Sequence, residues 1–512
     1  MPATIQSMVR AQRSFHVLLL FLSVLAWSSA DGASARAAEP DGEFEGEHSY
    51  KLPDGKEVQL KELSSKARNQ ARNKINDVLK PGKAATAEDE KAFADYFRLL
   101  IAELTWKENI PSLPEKRKSL KTKELAKAGA AAAPDLHLRL NKLILGEMQK
   151  VAKDNRYPRA VRLNCVLMIG ELDQSEPHGL AAGTPLPDAA PVLMDIFADE
   201  SLHYALRIDA LVCLKRHVNA NLSAERRRAL VDALASLLKT KDAPKGKSPL
   251  GHMWLRMVAC EVIETMAEQG DDASQPEVIA AMESFVGEKD TDLWLRCRAG
   301  EVFGSLSSKA LQNSAAGVAR KLGDLVVEVS KTHPRLLEAA GVEASKKKKP
   351  GKPEIVKKPD DEAAEPESPP IPERVLDVAT EDVVDQLLRI RFALTGAAVN
   401  AKEVPTDRGI IAATPAASNS AAADAKTAPF ATELLKSIDG MLKTLKDTKR
   451  EKVELLAEVA TDGEKLEGLL KAQAAPAATT ESAPVKTAKE KIPGVAKPPA
   501  GNSGAAESAV GP

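Results

Sequence analysis

The chain has 512 residues, enough for several domains or for one long series of repeats. Its 72 basic and 73 acidic residues nearly cancel, which disfavours general nucleic-acid binding, because that function usually needs a surplus of Lys and Arg. Aromatic residues make up only 4% of the chain, whereas sandwiches and barrels favour aromatic and β-branched residues. The composition therefore predicts an all-α protein.

The N-terminus has the order of a secretory signal peptide, which we place at residues 1–30. Arginines precede the apolar run of residues 15–27, and small residues follow it, so we expect cleavage after Ala30, with Ala35 and Ala37 as alternative sites. A membrane-spanning helix needs about 20 apolar residues, so an uncleaved anchor is the less favoured alternative. The sequence predicts an exported bacterial protein, periplasmic or extracellular, with no membrane span after cleavage.

Residues 31–87 are predicted to form an N-terminal extension with a small hairpin over 48–60, where a Pro-Asp-Gly turn separates two alternating segments. A helix is expected over 63–80, and a second, with one apolar stripe, over 88–106. The basic segment 107–127 is interpreted as a solvated loop and helix start. A patch for an anionic surface is the alternative interpretation.

Helical periodicity dominates residues 88–341, which we assign to a helical-repeat region. Beyond it, a Lys run, acidic residues and clustered prolines indicate a segment that buries no core. The rest of the chain is divided into a disordered linker at 342–373, a helix at 374–400, an Ala- and Pro-rich loop at 401–429, a helical segment at 430–471 that is compatible with a hairpin, and a disordered tail at 472–512.

One short pattern recurs: residues 254–262 read WLRMVACEV and residues 294–302 read WLRCRAGEV. The same frame fits four arginines at intervals of 45, 49 and 40 residues, namely Arg162, Arg207, Arg256 and Arg296. Three positions after each arginine stands a small residue: Cys165, Ala210, Ala259 and Ala299. On a helix these offsets fall on one face, where a small side chain lets a neighbouring helix approach closely.

An amphipathic segment precedes each of these helices, at residues 138–152, 190–198, 223–239 and 276–286. The unit is thus a helical pair of 40–50 residues. The openings Val161-Arg162, Leu206-Arg207, Leu255-Arg256 and Leu295-Arg296 resemble the second helix of HEAT repeats, an armadillo-type family. The resemblance covers roughly residues 136–310 and implies an α-solenoid of stacked helical pairs that serves as a protein-binding scaffold.

The arginines are interpreted as a structural ladder that fixes the stacking of the repeats. We expect carboxylates or turn carbonyls as their partners, with Asp292 and Asp209 as candidates, because a cation near a helix N-terminus opposes the helix dipole. An anion-binding stripe is the alternative. Trp254 and Trp294 are assigned to packing within or between repeats, and an exposed aromatic pair that anchors a protein partner is their alternative role.

The four cysteines, Cys165, Cys213, Cys260 and Cys297, are predicted to be free, buried thiols. Equivalent positions on stacked helices lie about 8–10 Å apart, beyond the reach of a disulfide. The sequence contains no Cys-x-x-Cys, no His-Glu-x-x-His and no Gly-x-Ser-x-Gly motif. It therefore predicts no catalytic residue, no metal site and no cofactor.

The sequence favours an exported, non-catalytic scaffold that binds a still unknown protein partner through its helical repeats. One alternative is a structural envelope protein that contacts the cell wall through the C-terminal tail. The other is an enzyme with a dispersed site, for which His203, His217 and Glu261 are the candidates.

Overall fold

The computed structural model describes residues 49–51, 57–59, 64–78, 86–126, 128, 134–177, 181–218, 222–268, 276–339, 373–397, 405, 407–414 and 427–474. The predicted signal peptide, nearly all of the predicted linker and the tail from residue 475 onward lie outside the described residues.

The N-terminal extension contains the expected hairpin. Strands β1 (Ser49–Lys51) and β2 (Glu57–Gln59) pair antiparallel, with Tyr50 opposite Val58. Helix α1 (Ser65–Val78) and helix α2 (Ala87–Glu103) pack against each other. Helix α2 begins at a capping box, because Thr86 and Asp89 each satisfy a backbone N–H of the other. It ends three residues before the predicted limit.

Over the described residues 107–126 the basic segment after α2 is helical, so the expected loop is wrong, whereas the expected helix start is present. A 3₁₀ segment (Lys107–Ser112) leads into helix α3 (Leu113–Ser119) and then into a π-helical turn (Leu120–Leu125). Its apolar residues Leu113, Leu120 and Leu125 are buried. The leucines thus fix one side of the segment in the core, and only the remaining sides are left for the basic residues.

Four helical pairs follow, each close to its predicted position. The first helices of the pairs are α4 (Pro134–Lys153), α6 (Ala189–Ala198), α8 (Ala224–Lys239) and α10 (Pro276–Val286). The second helices are α5 (Arg159–Glu171), α7 (Tyr204–Val218), α9 (Pro249–Ala267) and α11 (Leu293–Glu301), the last continued by a 3₁₀ turn (Val302–Gly304). Between α5 and α6 lies a short irregular hairpin of β3 (Asp173–Ser175) and β4 (Thr184–Pro185).

The pairs are packed in two layers. Helix α7 packs on α5, α9 on α7 and α11 on α9, while α6, α8 and α10 follow α4 in the other layer. Helices α5 and α7 meet at Gly170, where an added Cβ would lie 2.3 Å from the sulfur of Cys213. Helix α3 packs on α5, at the N-terminal side of the second-helix layer.

The remaining helices continue both layers. They are α12 (Ser308–Leu311), α13 (Ala315–Ala339), α14 (Glu373–Thr395), α15 (Gly409–Ala413), α16 (Thr427–Leu445) and α17 (Lys452–Ala474). Helix α13 packs on α10, and α14 packs on α11, so α13 and α14 act as a fifth pair. Helices α16 and α17 pack on each other and on α14 and α13, which agrees with the hairpin arrangement.

A single buried core extends from Ile75 to Leu470, so the predicted division after residue 341 does not separate packing units. Over the described residues, sheet is limited to the two short hairpins, and the predicted all-α class is confirmed. In the part of the chain that the structure describes, we find no helix with both the length and the apolar character needed to cross a bilayer.

Candidate functional site on the second helices

The four repeat arginines point from the second helix of a pair to the end of the first. Their side chains donate to carbonyl oxygens in the last turn of that helix. The contacts are Arg162 to Ala152 at 3.1 Å, Arg207 to Phe197 at 2.8 Å, Arg256 to Leu238 at 2.7 Å and Arg296 to Val286 at 2.9 Å. The last four carbonyls of a helix lack partners within it, and a cation there is favourable. Each arginine thus fixes one helix of its pair to the other.

Two of these arginines also reach the next pair. Arg256 forms a bidentate contact with Glu288, at 2.7 and 2.6 Å, and Arg296 contacts Glu328 at 2.8 Å. In both cases the carboxylate lies 32 residues after the arginine. The arginines therefore join consecutive pairs, and the equal offset identifies Glu288 and Glu328 as equivalent residues.

The two carboxylates that the sequence suggested as partners have other positions. Asp292 accepts the backbone N–H groups of Trp294 and Leu295, at 2.9 and 3.3 Å, so it caps helix α11. Asp209 lies on the opposite side of its helix from Arg207, because two residues turn a helix by about 200°. Both suggestions were wrong, because they were based on closeness in the sequence, whereas each arginine side chain points to the end of the preceding helix.

The small repeat residues lie in the core. Cys165, Ala210, Ala259 and Ala299 are all completely buried, one on each second helix. Because they carry little side-chain volume, the neighbouring helices approach closely at these positions.

We call the side of the second helices opposite to the arginines the second-helix face; several of its residues, such as Val258 and Glu261, are buried. Positions two before and two, five and nine after a residue all lie opposite to it on an α-helix, because each residue turns the helix by about 100°. In the four pairs these positions hold Ala160, Asn164, Leu167 and Glu171; Ala205, Asp209, Val212 and Arg216; Trp254, Val258, Glu261 and Thr265; and Trp294, Arg298, Glu301 and Ser305. Helix α3 covers the face at α5, and α14 covers it at α11.

Trp254 and Trp294 lie together on this face. Their ring centroids are 6.3 Å apart, with an interplanar angle of 49°, so the two indoles contact each other across the α9–α11 interface. Both are half-buried and pack against the core. From α14, the guanidinium of Arg389 lies 5.4 Å from the centroid of Trp294, within the range of a cation–π contact. The structure thus combines the two interpretations of these residues: they pack between pairs, and they present an aromatic surface.

Next to the tryptophans, a network of buried charges crosses four helices. Arg298 contacts Glu301 at 2.6 Å, Glu264 at 2.9 Å and Glu261 at 3.6 Å. Although burial by itself lowers the pKa of Arg298, the three carboxylates outweigh that effect and raise it. Burial raises the pKa of Glu264, and Arg298 opposes the rise. This network could not be predicted from the sequence, because helical spacing alone does not bring Arg298 to the glutamates of α9.

The rim of the network supplies two more cations. Lys215 of α7 contacts Glu261 at 2.8 Å, and Arg389 of α14 contacts Glu301 at 2.5 Å. Burial pushes the pKa of Glu301 upward, but Arg298 and Arg389 outweigh it and hold the pKa below its usual value. Charges on this part of the face are therefore matched within the protein.

Asp209 is the exception on the second-helix face. The other charged residues of the face have ion-pair partners: Glu171 with Arg117 at 3.3 Å, Arg216 with Asp173, Glu261 with Lys215, Arg298 with Glu264 and Glu301 with Arg389. Within the described ranges, nothing donates a hydrogen bond to the Asp209 carboxylate or lies close enough to form a salt bridge with it. Burial raises its pKa to about 7, and Arg117 only partly offsets the rise.

Replacing Asp209 with Asn should stabilise the protein above neutral pH. The folded-state pKa is raised from an ordinary 3.8, so ionisation favours the unfolded state, and the loss of stability is complete once the pH exceeds about 7. We expect the variant to gain about 1–2 kcal/mol in free energy of unfolding at pH 8, and much less at pH 5, where Asp209 is protonated in the folded state. Urea unfolding at the two pH values measures this. An equal effect at both values would contradict it.

The three residues of the enzyme hypothesis do not converge. His203 directly precedes α7, and His217 is the second-last residue of this helix. The two histidines are 14 residues apart, which is about 20 Å along a helix. The Nδ1 atom of His203 accepts the N–H of Ala205 at 3.1 Å. Burial lowers the pKa of His217 to about 4, and its ring contacts the carbonyl of Gly170 at 3.4 Å. Glu261 belongs to the Arg298 network. Over the described residues, His, Cys, Asp and Glu form no group of three suited to a metal ion.

All four cysteines are free thiols, as expected. Cys165, Cys260 and Cys297 are buried, but Cys213 is partly exposed, so the prediction that all four are buried is wrong for this one. Burial raises the pKa of Cys165 and of Cys260 to about 12 and also raises those of Cys213 and Cys297.

Alkylation of the unfolded, unreduced protein should add four labels, because no pair of these thiols is bonded. In the folded protein we expect labelling to be slow and to begin at Cys213, since a thiolate must form and be reached by the reagent. Intact-mass measurement of both samples tests this. A shortfall of two labels in the unfolded sample would show a disulfide.

Comparisons with known proteins add little to this geometry. No family model matches the chain, and no curated protein matches it. One solved structure that is similar to part of the chain is described as an engineered protein of the Northeast Structural Genomics Consortium; it is 12% identical, the match covers 78% of this chain and 99% of that one, and the TM-score is 0.24. The HEAT resemblance consequently depends on the repeat residues of this sequence alone.

Proposed function

We propose that this protein is an exported, non-catalytic scaffold that binds a protein partner on the second-helix face. Its helical pairs would form a HEAT-like α-solenoid, a proposal supported by the recurring arginine contacts and by the way the helices of each layer follow one another. Export is supported by the basic, apolar and small-residue order of the N-terminus.

The observation that carries the proposal is the contact between Trp254 and Trp294, both partly exposed, at the edge of the part of this face that α14 covers. Tryptophan is enriched among the residues that contribute most to protein–protein affinity. Both indoles are held by the core on one side, so binding would cost little side-chain entropy. A partner could thus cover their exposed sides without reordering the site.

The surroundings support binding rather than catalysis. The buried charges beside the tryptophans neutralise one another, so they offer no free acid or base at the aromatic surface. Arg389 places a cation over the edge of the surface, and Arg is also enriched at binding hot spots.

Capture of partners from the envelope fraction by the tagged protein tests the proposal. We expect the double variant Trp254→Ala/Trp294→Ala to bind the specific partner at least about thirtyfold more weakly, since each truncation of an anchoring aromatic costs about 1–2 kcal/mol or more. Leu469→Ala is the matched control, because it removes a side chain that is 44% exposed on α17, away from the face.

Circular dichroism melts accompany the capture, and Trp254→Phe serves as the conservative variant that keeps an aromatic ring. Capture that survives the double variant would contradict the proposal. Capture that is lost equally in Leu469→Ala would also contradict it, because the effect would not belong to the second-helix face.

A further inference from the structure

The fold leaves the Asp209 carboxylate without a hydrogen-bond or ion-pair partner among the described residues. We propose that its carboxylate binds a Lys or Arg side chain of a partner segment whose neighbouring apolar side chains pack on Trp254 and Trp294. This inference rests on the proposed function and names the chemistry of its partner: a basic and apolar peptide segment.

Asp209 has no ion-pair partner among the described residues. Arg117 is the one cation that favours the ionised form of Asp209, yet its guanidinium is engaged elsewhere, with the Asn164 side chain at 2.9 Å and Glu171 at 3.3 Å. The other titratable groups of this region are Cys213 and Arg216 of α7, and Arg216 is paired with Asp173. A half-buried carboxylate without a neutralising partner is costly, so an incoming cation would gain more here than on open surface.

The surroundings of Asp209 on the second-helix face suit a basic side chain with an apolar stem. It lies on α7, between the part of the second-helix face covered by α3 and the tryptophans of α9 and α11. On the same helix, the apolar side chain of Val212 is 41% exposed. A basic side chain would place its charge on Asp209 and lay its apolar stem along Val212.

The distance from Asp209 to Trp254 suits a short peptide segment. Helices α7 and α9 run in the same direction, because Tyr204 contacts His252 at 3.2 Å near their starts and Lys215 contacts Glu261 at 2.8 Å near their ends. In the repeat frame Asp209 is equivalent to Val258, so it lies one helical turn, about 6 Å along the axis, from the level of Trp254. Neighbouring helices are about 8–10 Å apart, and an extended peptide covers about 10 Å in three residues. A basic residue on Asp209 and an apolar residue about three positions away would thus reach both features at once.

Selection from a phage-displayed library of random linear nonapeptides on the full mature protein tests the inference. We expect Lys or Arg to be enriched about three positions from an aromatic or large aliphatic residue. The variant Asp209→Lys should reverse the enrichment to Asp and Glu. Asp232→Lys, which changes an exposed carboxylate on α8, should leave the basic enrichment intact.

Asp209→Asn keeps the test decisive if the lysine variant folds poorly. It removes the charge at nearly constant volume, so basic enrichment should disappear while apolar enrichment remains. The inference is overturned if the unaltered protein selects no basic residue or no peptide at all, or if Asp209→Asn selects the same basic peptides.

The capture experiment separates this inference from the proposed function. If the envelope partner is lost in the tryptophan variants but binds Asp209→Asn normally, the scaffold function stands and the role of Asp209 is wrong. If the tryptophan variants retain the partner, the binding face itself is wrong. A Kd about tenfold weaker for the captured partner in Asp209→Asn, with a melting temperature that is not lowered, supports both.

Discussion

Arg298→Ala is expected to lower the free energy of unfolding by about 3–5 kcal/mol, the range seen when one member of a buried ion pair is removed. The side chain contacts Glu261, Glu264 and Glu301 at once, and those carboxylates are between 8 and 18% exposed. Lys215 and Arg389 still reach two of them, but Glu264 would lose its only ion pair among the described residues.

The loss should depend on pH in a defined direction. Without Arg298, the carboxylates would have folded-state pKa values above those of the unfolded chain, and burial already raises that of Glu264. An acid with a raised folded pKa favours the folded state at low pH, so the cost should be largest near pH 8 and smaller near pH 5. Chemical denaturation at both values measures it.

Two control variants test whether the loss of stability comes from the charge of Arg298. Arg228→Ala removes an exposed arginine of α8 and should change stability by less than about 0.5 kcal/mol. Arg298→Lys keeps a cation but cannot reproduce three separate contacts, so it should recover only part of the loss. A cost that is the same at pH 5 and pH 8 would mean that packing, not charge, explains the effect.

Arg256→Ala is expected to destabilise the protein by a similar amount, about 3–5 kcal/mol. The side chain is 1% exposed, binds Glu288 with both terminal nitrogens, donates to the carbonyl of Leu238 and lies 4.2 Å from the ring centroid of Phe285. Its removal leaves Glu288 with only the hydroxyl of Thr291 as a donor among the described residues and takes the arginine donor from a helix-end carbonyl, and it also removes packing from α10.

The damage should be local at first, because each helical pair contacts mainly its neighbours. We therefore expect proteolysis to become faster near residues 240–252 and 287–293, which flank the lost contacts. Thermal melts and limited proteolysis of Arg256→Ala and Arg228→Ala provide the comparison. If Arg256→Ala left the melt unchanged but abolished partner capture, the arginines would be a binding stripe rather than a structural ladder.

Periodicity predicted the helical pairs because the signal is local. The apolar-Arg openings and the small residues three positions later placed α5, α7, α9 and α11 correctly. Partners of the arginines were harder to predict, because a long side chain reaches either back to the preceding helix or forward to the next pair. The shared offset of 32 residues to Glu288 and Glu328 is the sequence signal that would have found them.

The fifth pair was missed for a different reason. Helix α14 begins after residue 372, far beyond the normal interval, so the repeat frame ends before it. Its position on α11 depends on tertiary contacts such as Arg389 with Glu301, and on Gly304, where an added Cβ would lie 2.3 Å from the carbonyl oxygen of Phe392. Contacts between distant segments leave no periodic pattern.

The charge distribution of the candidate site also could not be predicted from the sequence. Arg117 belongs to a segment that resembles a solvated basic loop, yet it reaches Asn164 and Glu171 on α5. Asp209 differs from other acidic residues only in what surrounds it. Whether a carboxylate is paired is decided by the fold, so a single sequence identifies the residue but not its role.

The long connection between α13 and α14 has a practical consequence. Its two ends belong to helices that pack on each other, so the chain leaves and re-enters one pair. A reporter domain inserted between α13 and α14 would therefore join two helices of one pair, and it would leave both chain ends and the second-helix face unaltered.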